Sequence, residues 1–157
     1  MQRLFRNNRS NNTETDETED NSGKYKEDTR SPLVWTDDLH NGIVQVEMFI
    51  LGLEPGRDKY HPKGGRIWFD FFNGGRAFDM KTVLVDKVKM LRTTYKFRVN
   101  KLPGRIIATE STWKVEKGKI VVKMEKHPDD INIDWMPTVR SRGLDLESSS
   151  SSSSDDD

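Results

Sequence analysis

The chain has 157 residues, no cysteine, and 26 Lys and Arg balanced by 26 Asp and Glu, for a formal net charge of zero. The missing thiol excludes disulfides, cysteine nucleophiles and thiolate metal sites, and no apolar run approaches the roughly 20 residues of a membrane-spanning helix. The charge balance hides an asymmetry: residues 31–143 carry 20 basic against 14 acidic side chains, a net +6, while residues 144–157 hold 5 acidic and no basic ones. A basic domain beside an acidic tail can attract an acidic partner or nucleic acid. The same numbers also describe a plain, solvated, lysine-rich surface.

Residues 1–31 contain one large aliphatic, Leu4, and two aromatics, Phe5 and Tyr25, among Asn, Thr, Glu, Asp and Lys. Such a composition buries too little apolar surface to offset chain entropy, and a disordered N-terminal tail is expected. Arg3, Arg6 and Arg9 have no apolar core after them, so no secretory signal is expected. The cytoplasm is the default location, with the nucleus open to so small a chain. The predicted folded unit is 32–140. Residues 141–157 run into seven serines and three aspartates and are predicted to be a second, acidic, disordered tail.

Within 32–140 the strand signals are short and frequent, and helical periodicity is nearly absent. Val34-Trp35 opens the domain after Pro32. Ile43–Ile50 follows a turn at 37–42, with Val44, Val46, Met48 and Ile50 on one face and Gln45, Glu47 and Phe49 on the other. Leu51–Gly65, with Pro55, Gly56 and Pro62, reads as a long loop. Ile67–Phe72 and Ala77–Val85 are predicted strands joined by Asn73-Gly74-Gly75, whose glycines suit the positive φ of a tight hairpin. The next predicted strand is Tyr95–Val99. Ile106-Ile107 adds a short apolar step, and Thr112–Val115 and Lys119–Lys126 form a hairpin across Glu116-Lys117-Gly118. About seven strands with turns every eight to twelve residues predict an all-β fold, a compact antiparallel sandwich.

No constellation for catalysis can be assembled: there is no phosphate-cradling glycine loop, nucleophile elbow or zinc-binding His-Glu-x-x-His pattern. The chain is therefore expected not to be an enzyme, and to need neither cofactor nor metal. His40, His61 and His127 fall in predicted loops. Asp129, Asp130 and Asp134 could cluster beside His127, but nothing in the sequence supplies a supporting partner. His127-Pro128-Asp129 matches the tripeptide by which J-domains stimulate their chaperone. There it follows a basic helix, and here it follows a β-branched strand, which the proline ends. A nucleic-acid-binding module, RNA above all, is the alternative function. Lys81, Lys87, Lys89, Arg92, Lys96, Arg98, Lys101 and Arg105 lie within 25 residues, although stacking would require exposed aromatics beside them.

The ordered series of elements resembles the CS family. This is the antiparallel, HSP20-like sandwich of the small cochaperones of the ninety-kilodalton heat-shock protein, of nuclear-distribution proteins and of calcyclin-binding protein. The resemblance spans roughly 32–137. It rests on Trp35 before the first long strand, the Val44-x-Val46-x-x-Phe49 pattern, and Arg76-Ala77-Phe78-Asp79-Met80. It continues through Tyr95–Leu102, Glu110–Val115, Lys119–Lys126 and Trp135. The pattern is most similar to the CS domain of calcyclin-binding protein. The 51–65 segment is longer than usual for the family, and the helical ligase-binding region and the S100-binding region of calcyclin-binding proteins have no counterpart here.

The resemblance implies a monomeric cochaperone or adaptor that binds a protein partner, foremost a chaperone of that ninety-kilodalton class, through one exposed sheet face. It implies no membrane. The residues it points to are Trp35, Phe49, Lys119, Val121 and Lys123. Alternation by itself turns Phe49 outward from the Val44–Ile50 core face. A solvated charged face is the plain reading of Lys119, Val121 and Lys123, and a strand end that twists under the 51–65 loop is the plain reading of Phe49. Trp113 and Trp135 stand where the family closes its sandwich and are expected to be structural. Thr13, Ser152, Ser153 and Ser154 each have an acidic residue three positions on, which suggests acid-directed phosphorylation.

Overall fold

The alternating segments resolve into two four-stranded sheets that bury their facing sides. The computed structural model describes residues 24–148; Thr13, Ser152, Ser153 and Ser154, and most of both predicted tails, lie outside them. The first sheet contains β1 (Lys26–Arg30), β6 (Gly65–Phe72), β7 (Ala77–Asp86) and β8 (Leu91–Val99), in the order β1-β8-β7-β6. The second contains β2 (Leu33–Asp38), β3 (Ile43–Phe49), β9 (Thr112–Glu116) and β10 (Lys119–Glu125), in the order β2-β3-β10-β9. A two-stranded hairpin, β4 (Pro55–Asp58) with β5 (His61–Pro62), one short α-helix, α1 (Met136–Arg142), and three single 3-10 turns complete the described elements. The protein is an all-β sandwich.

The inner faces are the ones alternation selects. Val44, Val46, Met48 and Ile50 meet Ile120, Val122 and Met124 on the second sheet, opposite Phe78, Met80, Tyr95 and Val99 on the first, and all are buried. An aromatic chain runs through this layer. Phe69 stacks on Phe78 at 5.4 Å and on Trp113 at 5.5 Å between ring centroids, and Phe78 meets Phe97 at 5.8 Å. Trp113 is thus half-buried between β6 and β9, the edge strands of the two sheets. Trp135 is fully buried and caps the core at the start of α1. Trp135 is part of the core, and Trp113 packs against it.

Four expectations need correction. Lys26–Arg30, assigned to the disordered tail, forms β1 in parallel register with β8. Its sequence has no apolar residue to signal a strand. Main-chain pairing holds it, Lys26 N–H donating to Met90 O at 2.9 Å, together with a Glu27–Arg92 ion pair. The 51–65 segment is not simply a loop. Its β4–β5 hairpin folds back, Lys59 O accepting from Val115 N–H at 2.7 Å while Tyr60 packs edge-on against Trp113 at 5.0 Å.

The fold also extends beyond 140. Leu144 is buried, and Leu146 N–H donates to Lys101 O at 2.7 Å. Finally, α1 is a real helix, but its seven residues are too few to show helical apolar periodicity. The predicted hairpin at Asn73-Gly74-Gly75 does form. Gly75 sits at φ +86, and a Cβ there would stand 2.1 Å from Ile106 O, so the close approach of these backbones requires glycine.

Candidate protein-binding face

Strand pairing places the predicted residues in adjacent rows on the outer side of the second sheet. One row crosses it as Leu33, Phe49, Lys119 and Glu116; the next as Trp35, Glu47, Val121 and Lys114; the third as Asp37, Gln45, Lys123 and Thr112. Trp35, Phe49, Lys119, Val121 and Lys123, separated by up to 88 positions in sequence, therefore share one face. Trp35 is 47% exposed and Phe49 is 41% exposed.

The face is not uniform in its chemistry. Lys119 Nζ lies 3.1 Å from Glu47 Oε1 and 4.0 Å from Glu116 Oε1, while Glu116 also pairs with Lys114 at 3.1 Å. Gln45 Nε2 donates to the other Glu47 oxygen at 2.8 Å. Lys119 is thus neutralised within a network, and its ammonium stands 5.9 Å from the Phe49 ring centroid. Lys123 is exposed and has no carboxylate partner among the described residues. Val121 requires a correction. It points outward, yet it is only 4% exposed, because it lies mid-row on an interior strand between the longer side chains of Glu47 and Lys114.

The sequence reading missed the apolar end of this face. Leu33, cross-strand from Phe49, and Leu51, two residues beyond it, are both strongly exposed. With Phe49 they rim an open cleft of about 500 Å³ whose wall includes Arg30, Tyr95 and Lys117. The signal was available for Leu33, which has the same parity in β2 as Trp35.

The acidic residues near His127 do not gather into one cluster. Arg105 takes Asp130 at 3.2 Å and Asp129 at 3.4 Å. The Arg105 hydrogen bonds hold the Asp130 carboxyl below its ordinary range. His127 Nδ1 accepts from Asp129 N–H at 3.1 Å, capping the turn that ends the strand region. A different trio, Asp38, His40 and Asp134, brings its ligand atoms within 4.8 Å of one another. Asp38 is already committed, however. Its Oδ2 accepts from Lys126 Nζ at 2.7 Å and from Trp135 N–H at 3.1 Å, and its Oδ1 accepts from His40 N–H at 3.0 Å. Burial acts to raise the Asp38 pKa, but the Lys126 hydrogen bond and the two amides outweigh it and hold the group below the usual carboxylate range. The arrangement is a structural lock between β2, the end of β10 and α1.

The basic residues of the nucleic-acid alternative divide. Lys81, Lys96 and Arg98 stand on the outer side of the first sheet, while Lys87 and Lys89 are exposed on the β7–β8 turn. Arg92 pairs with Glu27, and Arg105 is taken by Asp129 and Asp130. Lys101 lies after β8, where its backbone is tied to residues 145 and 146.

No protein-family model matches the chain, and no curated protein matches it.

Proposed function

We propose that the chain is a non-enzymatic CS-type interaction domain, a cochaperone or adaptor that meets a chaperone of the ninety-kilodalton class through the outer side of β2-β3-β10-β9. The observation that carries this reading is the gathering of Trp35, Phe49 and Lys123 on one face, beside exposed Leu33 and Leu51. Exposed aromatics flanked by aliphatics supply the desolvated centre from which interfaces draw most of their energy. The ion-paired middle of the face offers little net attraction, since exposed pairs contribute only about 0–1 kcal/mol. Lys123, carrying an unneutralised charge, would orient an acidic partner.

The test is capture of the purified chaperone by the full chain, with and without nucleotide. Phe49→Ala is expected to weaken capture at least about tenfold, a loss of roughly 1.4 kcal/mol or more. Lys123→Glu should weaken it too and make the remainder less salt-sensitive. Both variants should keep the wild-type melting profile. If the wild-type protein captures no chaperone in either nucleotide state, the assigned partner is wrong.

A further inference from the structure

The outer side of the first sheet carries an aromatic set between cations, and the protein-binding reading makes no use of it. Trp68 is 44% exposed on β6. The Arg66 guanidinium lies 5.3 Å from its ring centroid and Lys81 Nζ lies 5.1 Å away. Pairing continues this row as Trp68, Lys81 and Lys96, so two lysines stand side by side next to the indole. Neither lysine pairs with a carboxylate among the described residues. One row on, Arg98 lies 4.6 Å over the half-buried Phe72 ring and 3.8 Å from Asp79, and Asp70 is the other acid on this part of the face. Four cations therefore surround two rings, opposed by two carboxylates.

We infer that this face binds single-stranded RNA, with a base stacked on Trp68 and phosphates held by Arg66, Lys81, Lys96 and Arg98. Two cross-strand lysines without carboxylate partners gain from a polyanion laid across them. An acidic peptide would satisfy the charges and leave the exposed indole without a partner, whereas a nucleic-acid strand supplies phosphates and π-faces together. Exposed bases require a single strand, because a duplex keeps them stacked on one another. Thr29 and Thr94, paired across β1 and β8 on the same face, add hydroxyl groups that suit a ribose 2′-OH. The surface is distinct from the Phe49 face, on the opposite side of the sandwich.

The test is fluorescence anisotropy of the full chain with labelled oligouridine of about 12 nucleotides, a length within the site sizes of single-strand binders. Affinity should fall with salt at a slope of about −2 to −3, corresponding to three or four phosphate contacts. Trp68→Leu, which keeps the apolar cover but removes the ring, should bind about 5- to 100-fold more weakly, while Trp68→Phe retains binding. Lys81→Gln with Lys96→Gln, both at exposed positions, should weaken binding and flatten the slope by about 1.

Absence of binding at about 50 mM salt would overturn the inference, as would a Trp68→Leu protein that binds like wild type. Displacement by polyglutamate at equal charge would reassign the face to acidic peptides, and equal affinity for the matching DNA would overturn the choice of RNA. Phe49→Ala should leave RNA binding unchanged and Trp68→Leu should leave chaperone capture unchanged, so the two readings succeed or fail separately.

Discussion

Replacing Lys126 by Met removes the cation from the lock that ties β2 and β10 to the Trp135 cap, while keeping most of the aliphatic stem. The Lys126 and Asp38 side chains are 3% and 0% exposed, and Nζ makes two hydrogen bonds of 2.7 Å, to Asp38 Oδ2 and to Ile133 O. Deleting one partner of a buried ion pair costs about 3–5 kcal/mol, because the other charge is left in a poor solvent. Here the carboxylate keeps the amides of His40 and Trp135, which argues for the lower end, about 3 kcal/mol. The orphaned Ile133 carbonyl adds about 1 kcal/mol. A domain of this size should lose roughly 10–20 °C in melting temperature.

The pH dependence distinguishes this mechanism from simple loss of packing. In the wild-type protein the folded Asp38 pKa lies below its unfolded value. The stabilisation it brings is therefore complete above about pH 4 and is lost as pH falls through the lower, folded pKa. Without the ammonium, only the amides of Trp135 and His40 oppose burial, and the folded pKa rises from its wild-type position. The stabilisation present above about pH 4 is correspondingly smaller in the variant. Urea denaturation at neutral and acid pH should thus show a gap between wild type and Lys126→Met that is widest near pH 7 and narrows toward pH 3. Adding Asp38→Asn to Lys126→Met should recover part of the loss, since an amide carries no charge to strand. A gap smaller than about 1 kcal/mol at pH 7, or one that stays constant with pH, would refute the electrostatic account.

Trp135→Ala should cost about 3–5 kcal/mol in urea denaturation. Trp135→Phe should cost clearly less, because the buried Nε1 has no hydrogen-bond partner among the described residues and its removal forfeits none. Gly75→Ala should destabilise by more than about 1 kcal/mol, because both the positive φ and the 2.1 Å approach to Ile106 O oppose a Cβ; Gly74→Ala, with nothing within 4 Å of its Cβ, should cost less in the same melts.

The second sheet was legible in the sequence because each of its long strands carries one unambiguous apolar parity. Val44, Val46, Met48 and Ile50 are all buried, and Phe49, on the other parity, is exposed. Parity gives direction and not depth, however. Val121 points outward and is still covered, because exposure also depends on what stands on neighbouring strands that are distant in sequence. Trp68 escaped for the converse reason: Ile67-Trp68-Phe69-Asp70-Phe71-Phe72 is apolar on both parities except for Asp70, the one residue that marks 68, 70 and 72 as outward. β1 was invisible because a parallel edge strand can be held by backbone pairing without apolar side chains. The β4–β5 hairpin was hidden as well, since its position depends on Tyr60 reaching Trp113 across 53 residues.

A sandwich separates its two outer faces by the thickness of its core, and this bears on whether one chain can serve two partners. The sheets of a sandwich pack about 10 Å apart, so outward side chains on opposite faces lie farther apart than the 7–10 Å within which substitutions usually interact. Phe49 and Trp68 share no contact, and the layer between them consists of buried side chains that have no alternative packing to adopt without cost. The double variant Phe49→Ala/Trp68→Leu should therefore show the sum of the single stability changes to within about 0.5 kcal/mol. Denaturation of the four proteins in parallel measures this directly. An interaction energy above about 1 kcal/mol would mean that the core couples the faces, and that occupancy of one would alter affinity at the other.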